Sequence, residues 1–109
     1  MILGIGIDTI EIGRIRDSHQ KLGDRFIERI LLPAEIDYCL KHKDPAPSLA
    51  ARFAAKEAAL KALGLGLGGM PMYDIEVVRD GLGPPRLVLH GAAAEVAREA
   101  GVRRWLVTM

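Results

Sequence analysis

The stretch LAARFAAKEAALKAL, Leu49 to Leu63, constrains this chain more than any other. Alanine is the strongest helix former, and a run of alanine and leucine free of proline and glycine commits the segment to a helix. Its ends are marked. Pro45 and Pro47 in HKDPAPS favour extended backbone and read as a linker, Ser48 is a good N-cap, and Gly64 is the natural stop. Small side chains on several faces let other elements approach closely. The rest of the chain is expected to pack around this helix.

What remains divides into short pieces. Ile2 to Ile7 reads as a glycine-rich strand. A helix follows from about Glu11 to Leu22, then an amphipathic piece from Arg25 to Leu32. A further helix runs from Pro33 to about Lys41, with Pro33 in its first turn and Glu35 placed to suit the helix dipole. Beyond the glycines, Tyr73 to Arg79 and Arg86 to His90 alternate as strands. They flank the turn-forming Asp80-Gly81-Leu82-Gly83-Pro84-Pro85, which makes a hairpin. Gly91 to Gly101 is an alanine-rich helix and Arg103 to Thr108 a last strand. The simplest solution is one α+β domain over 1–109, with helices packed on a small antiparallel sheet.

Half the residues are apolar and 27% are charged, a globular composition. The net charge of +1 gives no sign of a nucleic-acid partner. Cys39 is the one cysteine, so no internal disulfide can form, and a cytoplasmic setting with Cys39 as a packing thiol is expected. No apolar run reaches the length of a membrane helix, and MILGIGIDTIEIGRI lacks the basic start of a signal peptide.

Several patterns carry chemistry. In GIGID, strand alternation puts Gly4, Gly6 and Asp8 on one face, a bare floor beside a carboxylate. Such a floor suits a ligand or another backbone coming close. It equally suits a flat strand against a helix, with Asp8 as a turn residue. Phe53, Glu57 and Lys61 lie four apart on one helix face. Glu57 and Lys61 alone make an ordinary surface ion pair, but Phe53 on the same row does not belong in water. Arg52, Lys56 and Lys61 are cations suited to line a phosphate site. Gly64 to Gly69 is either a ligand-facing loop or a connector. Arg14, Arg16, Lys21, Arg25 and Arg29, with Phe26, form a basic stripe suited to an acidic partner helix, or simply a solvated face. One carboxylate on a strand end and one on a helix are what a magnesium ion bridging to a substrate phosphate uses, which points to phosphoryl transfer or diphosphate cleavage.

G-I-G-x-D-x-x-x-x-x-R (Gly4, Ile5, Gly6, Asp8, Arg14) and R-F-x-x-K-E-A-x-x-K-A-x-G (Arg52, Phe53, Lys56, Glu57, Ala58, Lys61, Ala62, Gly64) look like the 4′-phosphopantetheinyl transferases. Length and spacing resemble the small holo-[acyl-carrier-protein] synthase branch. The segment from Asp74 to Gly91 is also similar to that branch. The resemblance implies that fold, and transfer of the phosphopantetheine arm of coenzyme A to a serine of apo-acyl-carrier protein, releasing adenosine 3′,5′-bisphosphate. It implies Asp8, Glu57 and Lys61 as the catalytic set, with Mg2+ bound by Asp8 and Glu57. Coenzyme A would contact Arg52, Lys61, Gly64, Gly66 and Pro85. The carrier protein would dock on Arg14, Arg25 and Phe26. Lys56 receives no clear role. The branch forms homotrimers with sites between subunits, and its members continue past the point where this sequence ends, so the domain is expected to lack the branch's usual C-terminal strand.

Two rival readings belong to other classes. One is a non-catalytic module docking an acidic partner through the basic first helix; the other is a structural oligomer without a site. Both gain at the enzyme's expense if Asp8 and Glu57 point into separate surroundings.

Overall fold

The long alanine helix is the spine of the molecule. The computed structural model describes residues 1–65, 71–79 and 83–109. Five α-helices occur among them: α1 (Ile12–Leu22), α2 (Asp24–Glu28), α3 (Pro33–Leu40), α4 (Ala46–Ala62) and α5 (Gly91–Glu99). A single 3-10 turn at Met72–Asp74 leads into β1 (Ile75–Val78), which pairs antiparallel with β2 (Arg86–Leu89) in the register Ile75 to Leu89 and Val77 to Leu87. The expected α+β class, helices on a small antiparallel sheet, is the one observed.

The N-terminal half of α4 buries Leu49 and Ala50 against Ile15 of α1, Ile27 of α2, and Leu31 and Cys39. The C-terminal half buries Ala59 and Leu60 against Ile75 of β1 and Ala93 of α5, with Trp105 closing the cluster. One helix thus serves two cores, and its alanines set how closely each layer approaches.

The start of α4 differs from the sequence reading. Helix α4 starts at Ala46, so Pro47 lies in its first turn, where its missing N–H costs nothing. Pro45 is in the right-handed helical region rather than extended. The Asp44 carboxylate accepts from the Ala46 amide at 3.3 Å, a cap that Ser48, already inside the helix, cannot provide. At the other end Gly64 takes φ +77°, as its role as a stop requires.

The segments 2–7 and 103–108, expected as strands, join no ladder among the described residues. Alternation reports which faces side chains take, but a strand also needs a hydrogen-bonding partner. The free edge of β1 is occupied at Val77, whose amide donates to the Glu35 carboxylate at 2.9 Å. The first segment instead lies flat on α4. A Cβ on Gly4 would sit 2.3 Å from the carbonyl oxygen of Ala62, and one on Gly6 would sit 1.8 Å from that of Ala58. The glycine floor therefore receives a backbone, that of α4, and Ile5 and Ile7 are left 72% and 76% exposed.

Beneath α4 lies a buried ion pair. Lys56 is fully buried, and its ammonium donates to Glu35 Oε1 and to the carbonyl of Ile30, each at 2.6 Å. Glu35 Oε1 also accepts from the Leu32 amide at 3.0 Å, at the start of α3. Burial, the largest effect, pulls the Lys56 ammonium below the ordinary lysine range, while the charge and hydrogen bond of Glu35 work the other way.

Two stability outcomes follow from these contacts. Lys56→Met strands a buried carboxylate and is expected to cost about 3–5 kcal/mol in denaturant unfolding. In Gly6→Ala the methyl meets backbone that cannot give way, so the first segment must lift off α4. The expected cost is about 1–3 kcal/mol, with the helical circular dichroism signal retained.

Candidate active site

The contact between glycines and α4 decides where Asp8 goes. With Gly4 and Gly6 pressed on Ala62 and Ala58, the next residue of that face arrives beside Glu57 and Lys61. The Lys61 ammonium donates to Asp8 Oδ1 at 2.9 Å and to the Ile7 carbonyl at 3.3 Å. Its partner is thus Asp8, more than fifty positions away, and not simply the glutamate one turn back. The Asp8 side chain is only 11% exposed, while Lys61 is 53% exposed and reaches out to solvent.

Glu57 completes the group. Two carboxyls this close share a proton more readily than they share a charge. Burial first, then the hydrogen bond and charge of Asp8, hold the Glu57 carboxyl above the ordinary glutamate range, against the pull of Lys61. For Asp8 burial acts upward, but hydrogen bonds with Lys61 and Glu57, the Lys61 charge and the Thr9 amide outweigh it, and its carboxyl is held low. Lys61 is raised, chiefly by its hydrogen bond to Asp8, so it stays charged at neutral pH.

When both acids are ionised, Asp8 Oδ2 is buried with no donor. A buried, unsatisfied carboxylate oxygen beside a second carboxyl is a setting that a cation would complete. No group of three or more His, Cys, Asp or Glu side chains able to hold a metal occurs among the described residues. Magnesium does not need one: it typically takes one or two carboxylates and fills its sphere with water and phosphate oxygens. The donor set fits a hard divalent cation shared with a phosphorylated substrate.

The other residues singled out in the sequence are placed as follows. Arg52 does not join Asp8. It is 2% exposed, donates to Ser48 Oγ at 3.0 Å, and lies 4.2 Å over the Tyr38 ring on another face of α4. Lys56 is likewise taken up by Glu35, so of the three cations on α4 only Lys61 meets the carboxylates. Four-residue spacing separates the row 52–56 from the row 53–57–61, and only the second faces Asp8. Phe53 packs with Ile15, Ile27 and Leu49 in the first core, which explains an aromatic on that row. Gly64 directly follows the helix end, Pro85 is half-buried immediately before β2, and Gly66 lies outside the described residues. Arg14 and Arg25 are exposed, and Phe26 is half-buried against the first core. Sequence reasoning missed Glu35 as the partner of Lys56. The available signal was a lysine at the helical spacing of Leu49 and Leu60, a buried row where a cation requires an acid.

Comparison with known proteins identifies the family. The family model described as the 4′-phosphopantetheinyl transferase superfamily matches residues 4–108. The holo-[acyl-carrier-protein] synthase of Koribacter versatilis is 53% identical over 105 residues, covering 95% of this chain and 84% of the relative. Among solved structures, the Plasmodium yoelii acyl carrier protein synthase with ADP bound superposes with a TM-score of 0.84 at 37% identity, covering 95% of this chain and 80% of the other. The Helicobacter pylori holo-[acyl-carrier-protein] synthase in complex with coenzyme A gives 0.78 at 34% identity, covering 92% and 83%. The chain belongs to the 4′-phosphopantetheinyl transferase superfamily and, within it, to the holo-[acyl-carrier-protein] synthases.

Proposed function

We propose that this chain transfers the 4′-phosphopantetheine arm of coenzyme A to a serine of apo-acyl-carrier protein in a magnesium-dependent reaction that releases adenosine 3′,5′-bisphosphate. The observation that carries the reading is the convergence of Asp8, Glu57 and Lys61, with a buried carboxylate oxygen left without a donor. Likeness to an enzyme solved with coenzyme A supports the donor substrate.

In this reading Asp8 and Glu57 would hold the magnesium ion, which supplies charge neutralisation at the diphosphate when bound. Lys61 is charged and reaches solvent, so its ammonium can grip a diphosphate oxygen and steady the leaving bisphosphate. The serine oxygen forms a bond to the phosphorus that bears the pantetheine arm, and the bond from that phosphorus to the bridging oxygen breaks. Glu57 takes the serine proton on a carboxylate oxygen not used for the metal. Gly64, just past the end of α4, and Pro85 would contact the coenzyme, as would Gly66, which lies outside the described residues. Arg52 is buried on another face of α4, held by Ser48 and Tyr38, so its contact with the coenzyme finds no support in the geometry of this chain.

The carrier protein would dock on α1 and α2. Arg14 and Arg25 are exposed there and suit an acidic partner, with Phe26 as the apolar contact. Ile5, Ile7 and Leu106, exposed by 72%, 76% and 84%, give the chain apolar surface to bury in a homotrimer. No helix among the described residues is long and apolar enough to cross a membrane, and we place the enzyme in the cytoplasm.

The mass of an apo-carrier protein incubated with coenzyme A and magnesium is expected to rise by one phosphopantetheine; an unchanged mass excludes the reading. Glu57→Gln should lower transfer at least a hundredfold, in keeping with the loss of a general base, and leave the circular dichroism spectrum intact. The pH dependence has a definite sign. Protons compete with the cation for Glu57, whose folded value is raised, so magnesium affinity should fall as pH drops through that value. The fall should begin above the range of an ordinary glutamate, as measured by calorimetric titration at several pH values.

A further inference from the structure

Lys56 precedes Glu57 in the chain, yet it takes no part in the site around Asp8. Its surroundings are unusually restrictive. The ammonium is held by the Ile30 carbonyl and Glu35 Oε1, each at 2.6 Å. Glu35 is in turn fixed by the Leu32 amide at 3.0 Å and the Val77 amide at 2.9 Å. One buried carboxylate therefore joins the start of α3, the edge of β1 and the middle of α4. None of these partners can shift without leaving a buried charge or amide unmet, which the fold cannot tolerate cheaply.

The opposite side of α4 is held by a different contact. Successive helix residues turn by about 100°, so Ala58 lies about 200° from Lys56 and Ala62 about 240°. There the backbones of Gly4 and Gly6 press on the helix so closely that no Cβ fits between. Glu57, at about 100°, and Lys61, at about 140°, occupy the arc between the two contacts.

We propose that the buried Glu35–Lys56 pair is a positioning device for the active site: it fixes the rotation of α4 about its own axis, so that Glu57 and Lys61 face Asp8. Glu35 and Lys56 are positioning residues that touch no substrate. A helix free to turn would carry Glu57 away from Asp8 while keeping every residue of the site present. The inference rests on the transferase reading for its consequence in catalysis, but its structural content stands apart from it.

The test removes the pair and keeps the bulk. A Glu35→Gln/Lys56→Met variant eliminates both buried charges at nearly the same volume, although the single amide oxygen of Gln can accept from only one of the Leu32 and Val77 amides. All measurements are made well below its melting temperature. The expected result is a kcat reduced about 10–100-fold, with the KM for carrier protein unchanged. Affinity for Mn2+, used as the metal probe, should weaken to a similar degree, and the amide resonances of Gly6 and Asp8 should move. A merely structural pair would lower the melting temperature and leave all three at wild-type values, and that result overturns the proposal. If the double variant does not fold, Glu35→Asp provides the same comparison, since it keeps the charge and shortens the arm by one methylene. Wild-type kcat and wild-type Gly6 and Asp8 resonances in that variant equally overturn the proposal. Should the unaltered protein show no transfer at all, the transferase reading fails, while the resonances of Gly6 and Asp8 still decide the positioning role.

Discussion

The Glu35 carboxylate is the junction on which the architecture depends. It is 2% exposed and accepts from the Leu32 amide, the Lys56 ammonium and the Val77 amide. A charge taken out of water is expensive unless its lone pairs are met, and here donors from three elements meet them. Apolar contacts alone specify the order of the layers, but they are non-directional. The directional bonds of Glu35 add what oil-like packing lacks, a defined register between α3, α4 and the hairpin.

Against this frame the functional group is small: two carboxylates and one ammonium, brought together from the two ends of the first sixty or so residues. Its electrostatics are internally opposed. Asp8 is held low and Glu57 high, so the two neighbouring carboxyls differ in how readily they give up a proton. Lys61 sits at the rim, charged and more than half exposed. Arg52, although it belongs to the same motif, faces another surface, where it stacks on Tyr38. A contiguous motif on a helix does not make a contiguous site, because consecutive residues diverge by about 100°.

Much of this was legible in the sequence. The alanine run and its glycine stop announced α4, the turn residues announced the hairpin, and the four-residue spacing put Glu57 and Lys61 on one face. The convergence with Asp8 followed from the motifs jointly rather than from either alone. Two things were not legible. The apolar stretches Ile2 to Ile7 and Arg103 to Thr108 suggested strands, but residue type carries no information on whether a partner edge is free, and the edge of β1 at Val77 is taken by Glu35. Nor could spacing reveal the pair of Glu35 and Lys56, 21 positions apart: the helical row of Leu49 and Leu60 marks Lys56 as buried, but nothing in the pattern names its acid.

The contact of Gly6 with Ala58 also bears on how such a chain can vary. Where two side chains collide, a second substitution on the facing element can restore the fit, and the two positions drift together. Here a Cβ at position 6 would meet a carbonyl oxygen at 1.8 Å, and every amino acid at position 58 carries that same oxygen. No exchange at the facing position can relieve the clash. Gly6 is thus a site without a compensating partner, fixed by the main chain of its neighbour rather than by that neighbour's identity.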